Sequence, residues 1–120
     1  MGKRARQRGR AEKLTAPEST YSGDGGRLVL RGSLTPATRR QYAETRAGKG
    51  GAQTAEDAWQ RAVEFLFERL VVRWEASGVE YAGAKPLLRR FRAATPDERR
   101  WVRDVLREHC AEWFPDVEAP

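Results

Sequence analysis

Basic side chains are the residues of this chain whose type and spacing most clearly favour a chemistry, the binding of anions. Residues 1–14 hold six Lys and Arg and one acid, and residues 85–107 hold eight bases and three acids. The stretch between them carries nine charges of each sign, and residues 108–120 hold four acids and no base. This uneven distribution indicates a partner such as nucleic acid or an acidic protein surface.

The two basic blocks supply the predicted binding residues. In the second block, most bases have no acid three or four residues away, the spacing at which helical side chains pair. On the last predicted helix the basic side chains fall on one flank and the acidic ones on the other. The predicted site residues are Lys3, Arg4, Arg6, Arg8 and Arg10 in the first block, and Lys85, Arg89, Arg90, Arg92, Arg99, Arg103 and Arg107 in the second.

Two other groups of residues are candidates for enzymatic chemistry. His109 and Cys110 are adjacent, and adjacent residues of a helix point about 100° apart, so they cannot act as a catalytic pair. The chain has no other His or Cys to complete a metal shell, and carboxylates alone seldom hold zinc. Residues 48–51 have a glycine-lysine pattern but lack the spacing of a phosphate-binding loop. We therefore expect no enzyme activity, no metal and no cofactor.

The elements that position these residues are predicted to be helices. Thr35-Pro36 favours a helix start, with the helix running to about Arg46, and Thr54 with Asp57 favours a second start. The apolar spacing from Trp59 to Trp74 predicts that this second helix is central and continues to about Ser77.

Two further helices follow in the sequence. The first covers roughly residues 84–93. The second begins at Thr95-Pro96, where Glu98 completes a capping box, and runs to about Phe114, before Pro115.

The predicted fold is therefore all-α, a small bundle of about four helices in a single domain over residues 20–115. Residues 20–31 contain a turn pattern and a short extended segment, which either form a minor hairpin or lie across the helices. Residues 1–19 contain one Leu and no aromatic side chain, which predicts a disordered basic arm. Residues 116–120 form an acidic tail.

Residues 33–42 carry a Leu-Thr-Pro helix start followed by Arg39-Arg40-Gln41-Tyr42. This segment resembles the opening of the core-binding domain of tyrosine recombinases. The resemblance covers ten residues, nothing similar to the catalytic domain follows, and helix-start chemistry explains the same residues. It assigns no site.

The compartment is inferred from what the sequence lacks. No apolar run approaches the roughly 18 residues that a membrane span requires, and no apolar segment follows the basic start as in a signal peptide. Cys110 is the only cysteine, which suits a reducing compartment. The excess of Arg over Lys is typical of a GC-rich genome, so we expect a bacterial cytoplasmic protein.

Two functions follow from these observations. The first is a non-enzymatic protein that binds nucleic acid through phosphate contacts, because no base-reading motif is evident. The alternative is a protein-assembly adaptor that docks an acidic protein surface or a second copy of itself. Aromatic residues near the C-terminus, Trp113 and Phe114, favour the alternative because such side chains often anchor interfaces.

Overall fold

The computed structural model describes residues 17–48 and 54–120, which form four helices and one four-stranded sheet. In chain order the elements are β1 (Glu18–Gly23), β2 (Gly26–Arg31), α1 (Pro36–Arg46), α2 (Ala55–Leu70), β3 (Val71–Ala76), β4 (Val79–Ala82), α3 (Ala84–Arg92) and α4 (Pro96–Trp113). This is an α+β fold, so the predicted all-α bundle with at most a minor β element is wrong.

The sheet consists of two hairpins side by side, in the order β1-β2-β3-β4, and all neighbouring strands are antiparallel. One row of side chains crosses all four strands and faces the helices. It consists of Tyr21, Leu28, Trp74 and Tyr81. The opposite face carries mainly polar and charged side chains, among them the exposed ion pair of Arg27 and Glu75. The sheet is therefore covered on one side only.

The predicted second helix ends at Leu70 instead of continuing to Ser77, because the chain turns directly into β3. Leu66, Leu70 and Trp74 are four residues apart, which resembles one side of a helix, but Trp74 lies in the sheet opposite Leu28 of β2. Ser77 and Gly78 have φ values of +54° and +79°, the conformation of the tight turns that join hairpin strands. The sequence did not predict the β3–β4 hairpin, because Trp74 continues the helical spacing of Leu66 and Leu70.

The predicted helix starts are confirmed. The side chains of Thr35, Thr54 and Thr95 each accept a hydrogen bond from the backbone N–H three residues later, at 3.0–3.1 Å. The carboxylate of Glu98 completes the capping box by accepting from the N–H of Thr95 at 2.9 Å. These caps satisfy backbone donors that a helix N-terminus leaves without partners.

The core lies between the sheet and the helices. From α2 it receives the buried Val63, Leu66, Phe67 and Leu70, and Trp74 follows from β3. α4 also contributes one side to the core: Val102, Val105, Leu106, His109 and Cys110 are buried, and Trp113 is partly buried against the core. Within the described ranges no helix is long and apolar enough to cross a membrane.

Candidate anion-binding surface

The predicted binding residues fall into three groups in the structure. The five predicted bases of the first block lie outside the described residues, although the described chain already enters β1 at Glu18, within the range predicted as arm. Of the seven predicted bases in the second block, five have side chains that contact other described residues. Two have no partner among the described residues.

Arg90 is largely enclosed by the fold, and its side chain is only 15% exposed. Its Nη2 donates to Oε2 of Glu98 at 2.6 Å, and the guanidinium lies over the ring of Trp74 at 4.7 Å. The hydrogen bond from Arg90, followed by that from the Thr95 N–H, lowers the pKa of Glu98. Arg90 therefore joins α3, α4 and the sheet, and is a structural residue.

Arg92 and Arg107 pair with carboxylates as well. Arg92 donates two hydrogen bonds to Glu64 of α2, at 2.9 and 3.1 Å. Arg107 contacts Asp104 at 3.3 Å, and its neighbour Arg100 contacts Asp97 at 2.8 Å, both three residues apart. Ion pairs thus join the basic and acidic flanks predicted for α4, so part of the charge of the basic flank is neutralised.

Arg99 and Arg103 use neutral partners. Nη2 of Arg99 donates to the backbone carbonyl of Arg92 at 2.6 Å, which ties the end of α3 to the start of α4. The guanidinium of Arg103 lies 5.0 Å from the ring centroid of Trp59 on α2. Both side chains thus contribute to packing between helices.

Lys85 and Arg89 remain available for a partner. Both are exposed on α3, and neither side chain makes a hydrogen bond or ion pair within the described part of the chain. Their spacing of four residues places them on one side of the helix, where Arg92 also lies. Of the seven predicted bases in the second block, only these two have side chains that make no hydrogen bond, ion pair or aromatic contact with the described residues.

The charge of the described residues is balanced. Six of the 23 Lys and Arg and one of the 17 Asp and Glu lie in residues 1–16, and Lys49 lies in the second undescribed segment. The described residues therefore hold sixteen bases and sixteen acids. The formal net charge of +6 belongs entirely to residues 1–16 and Lys49.

A third basic group, which is not among the predicted site residues, lies on α1. Arg39, Arg40 and Arg46 line an open groove of about 930 Å³ between this helix and the acidic residues 115–118. The available signal was the spacing of Arg39, Tyr42 and Arg46 on one side of a helix. Nothing in the local sequence indicated that the C-terminal residues lie against them.

His109 of α4 is fully buried and lies against Tyr21 of β1 and Arg31 at the end of β2. Its Nε2 lies 2.8 Å from the carbonyl oxygen of Arg31, which can only accept, so Nε2 carries the proton. Its Nδ1 then accepts from the hydroxyl of Tyr21, also at 2.8 Å. Both ring nitrogens of the neutral imidazole are satisfied, which fits a structural role.

This burial predicts that the protein loses stability in mild acid. Desolvation lowers the pKa of His109 below its usual value of 6.5, so the unfolded chain binds a proton more readily than the folded chain. The free energy of unfolding should therefore be constant above about pH 7. It should fall as the pH drops below 6.5, by at most about 1.4 kcal/mol per pH unit for one proton.

Urea unfolding at pH 7.5 and 5.5 measures this effect, with the His109→Gln variant as control. The variant is less stable but should show little change between the two pH values, because the remaining carboxylates titrate mainly below this range. An equal change in the parent and the variant would show that His109 is not its source.

Cys110 is buried next to His109, and burial raises the pKa of its thiol to about 11. A protonated thiol is a poor nucleophile and a poor metal ligand. Within residues 17–48 and 54–120 no group of His, Cys, Asp and Glu could hold a metal ion.

Comparisons of the chain with protein-family models, with curated proteins and with solved structures found no match.

Proposed function

We propose that this protein is a non-enzymatic binding module that contacts the phosphates of nucleic acid through its basic N-terminal segment. The observation that carries the proposal is the location of the net charge. The described residues neutralise one another, whereas residues 1–16 hold six bases and one acid. Cations concentrated in this way gain affinity for a polyanion by releasing its counterions.

Lys85 and Arg89 supplement this segment. They form an exposed pair on α3, and Arg92 on the same side is 62% exposed, although it is paired with Glu64. Such a short row can contact one or two phosphates. It is too small to bind nucleic acid alone, so we assign it a secondary contribution.

The side chains on the open face of the sheet favour binding to phosphates and not to bases. The aromatic residues of the four strands, Tyr21, Trp74 and Tyr81, all lie on the side that faces the helices. The open face therefore offers no ring on which a base could stack. We expect binding to depend strongly on salt and weakly on sequence.

The alternative function, an adaptor with an aromatic anchor, loses its main support. Phe114 is 2% exposed, and Trp113 is partly buried and donates from Nε1 to the Ser19 hydroxyl at 3.0 Å. Among the described residues, Val79 is the only exposed large hydrophobic side chain. Tight protein interfaces are usually anchored by a cluster of such side chains.

The proposal predicts that neutralising the N-terminal segment removes binding without unfolding the protein. A variant with all six bases of residues 3–13 replaced by Gln should bind a short duplex DNA about 100-fold more weakly at about 50 mM salt. Its melting temperature should match that of the parent, because this segment has almost no apolar surface to bury. Fluorescence anisotropy and thermal unfolding provide the two measurements.

The Lys85→Gln/Arg89→Gln variant removes two exposed bases of α3 instead, and it should bind only a few-fold more weakly than the parent. Failure of the parent to bind DNA at low salt would contradict the proposal. Polyglutamate is also a polyanion, but it carries carboxylates instead of phosphates. If the parent bound polyglutamate as tightly as it binds DNA, the result would favour the adaptor that docks an acidic protein surface.

A further inference from the structure

The arginines of α1 are partly covered by the acidic C-terminal segment, residues 115–120. Nη1 of Arg39 contacts both carboxylate oxygens of Asp116, at 2.8 and 2.9 Å. Nη1 of Arg46 contacts Oε1 of Glu118 at 2.8 Å, and the hydroxyl of Tyr42 donates to the backbone carbonyl of Glu118. Two carboxylates thus occupy positions on α1 that anionic groups of another molecule could occupy.

These two ion pairs are exposed to solvent. The side chains of Asp116 and Glu118 are 62% and 83% exposed, and those of Arg39 and Arg46 are 36% and 40% exposed. Ion pairs with such exposure contribute little to stability and are screened by salt. A competing anion therefore has little interaction energy to overcome at this position.

The segment is attached to the fold by other contacts. Val117 is 9% exposed, Ala119 packs against the core, and Arg107 contacts the carbonyl oxygen of Pro120 at 3.3 Å. Removing the two carboxylate charges should therefore leave the segment in place. Substitutions can thus remove the charges of Asp116 and Glu118 without removing the contacts that hold the segment against the fold.

Arg40 adds a charge that the segment does not neutralise. It is exposed, lines the same groove as Arg39 and Arg46, and makes no ion pair with any described residue. Guanidinium groups bind phosphate with two parallel hydrogen bonds, which are stronger than those to a neutral acceptor. The groove combines one uncompensated arginine with two that are weakly compensated.

We propose that Arg39, Arg40 and Arg46 form a second phosphate-binding surface, and that Asp116 and Glu118 compete for it within the same chain. This inference rests on the proposed function, because it names a further surface for the same nucleic-acid partner. The acidic segment reduces affinity until the phosphates of a bound polyanion displace its carboxylates from Arg39 and Arg46.

The test compares two variants that change the net charge equally. Asp116→Asn/Glu118→Gln removes the competing charges, and Glu68→Gln/Glu108→Gln removes two exposed acids that make no ion pair among the described residues. We expect the first variant to bind a short duplex DNA about 10-fold more tightly than the parent. The second should differ from the parent by less than about 2-fold.

Arginine substitutions in the Asp116→Asn/Glu118→Gln background show where the gain arises. Arg39→Gln/Arg46→Gln should remove it, whereas Arg27→Gln/Arg100→Gln, which removes the same charge elsewhere, should retain most of it. Circular dichroism confirms that each variant is folded.

The inference is overturned if Asp116→Asn/Glu118→Gln binds no more tightly than Glu68→Gln/Glu108→Gln, including the case in which neither binds. It is also overturned if both arginine pairs reduce the gain equally. The variant lacking the bases of residues 3–13 separates this result from the proposed function, because that variant tests the N-terminal segment alone.

Discussion

Trp74→Ala should destabilise the protein by about 3–5 kcal/mol, the range for truncation of a large buried aromatic side chain. Trp74 is fully buried at the centre of the sheet and lies 6.0 Å from the ring of Phe67 and 4.7 Å below the guanidinium of Arg90. Its Nε1 donates to the carbonyl of Gly25 at 3.0 Å. Truncation opens a cavity and leaves that buried carbonyl without its partner.

Two further substitutions separate these contributions in urea unfolding. Trp74→Phe retains much of the packing but loses the hydrogen bond to Gly25, so its cost should be intermediate. Val79→Ala removes an exposed side chain of β4 that is 49% exposed, and it should change stability by less than about 1 kcal/mol. A Trp74→Ala protein with the urea midpoint of the parent would disprove the position of β3 in the sheet.

Gly26→Ala should be the second most damaging change, at about 3 kcal/mol or more. Gly26 has φ +111° at the start of β2, where a side chain is strained. A Cβ at this position would also overlap the carbonyl oxygen of Glu75 in the backbone of β3. The substitution therefore forces β2 and β3 apart near the turn of the first hairpin.

Gly78→Ala isolates the conformational part of this effect. Gly78 has φ +79° in the β3–β4 turn, but a Cβ there would meet no atom within 4 Å. This variant should lose only the roughly 1–2 kcal/mol associated with a left-handed conformation. If Gly26→Ala and Gly78→Ala reduced stability equally, the close approach of Gly26 to the Glu75 carbonyl would not exist in solution.

The fold could be predicted from the sequence where the information is local. The Thr caps at residues 35, 54 and 95 mark helix starts through hydrogen bonds that span three residues, and all three are confirmed. The β3–β4 hairpin could not be recognised in the same way. Trp74 continues the spacing of the preceding helix, and only its pairing with β2, more than forty residues earlier, places it in a strand.

The pairing of charges in the candidate site also depends on residues that are distant in the sequence. The absence of acids at helical spacing correctly described the local surroundings of Arg90 and Arg92. Their partners are Glu98, eight residues away on the next helix, and Glu64, 28 residues away on α2. Likewise, Arg39 and Asp116 are 77 residues apart. Charge pairing of this kind follows from tertiary contacts, so the sequence overestimates the basic surface of the folded domain.

The salt dependence of DNA binding tests the central claim most directly, because it measures how many cations contact phosphates. The slope of log affinity against log salt is about −0.9 for each phosphate neutralised on duplex DNA. For the parent we predict a slope of about −5 or steeper, and for the variant lacking the bases of residues 3–13 a slope of about −2 or shallower. Equal slopes for the two proteins would contradict the claim that the net charge of the N-terminal segment drives binding.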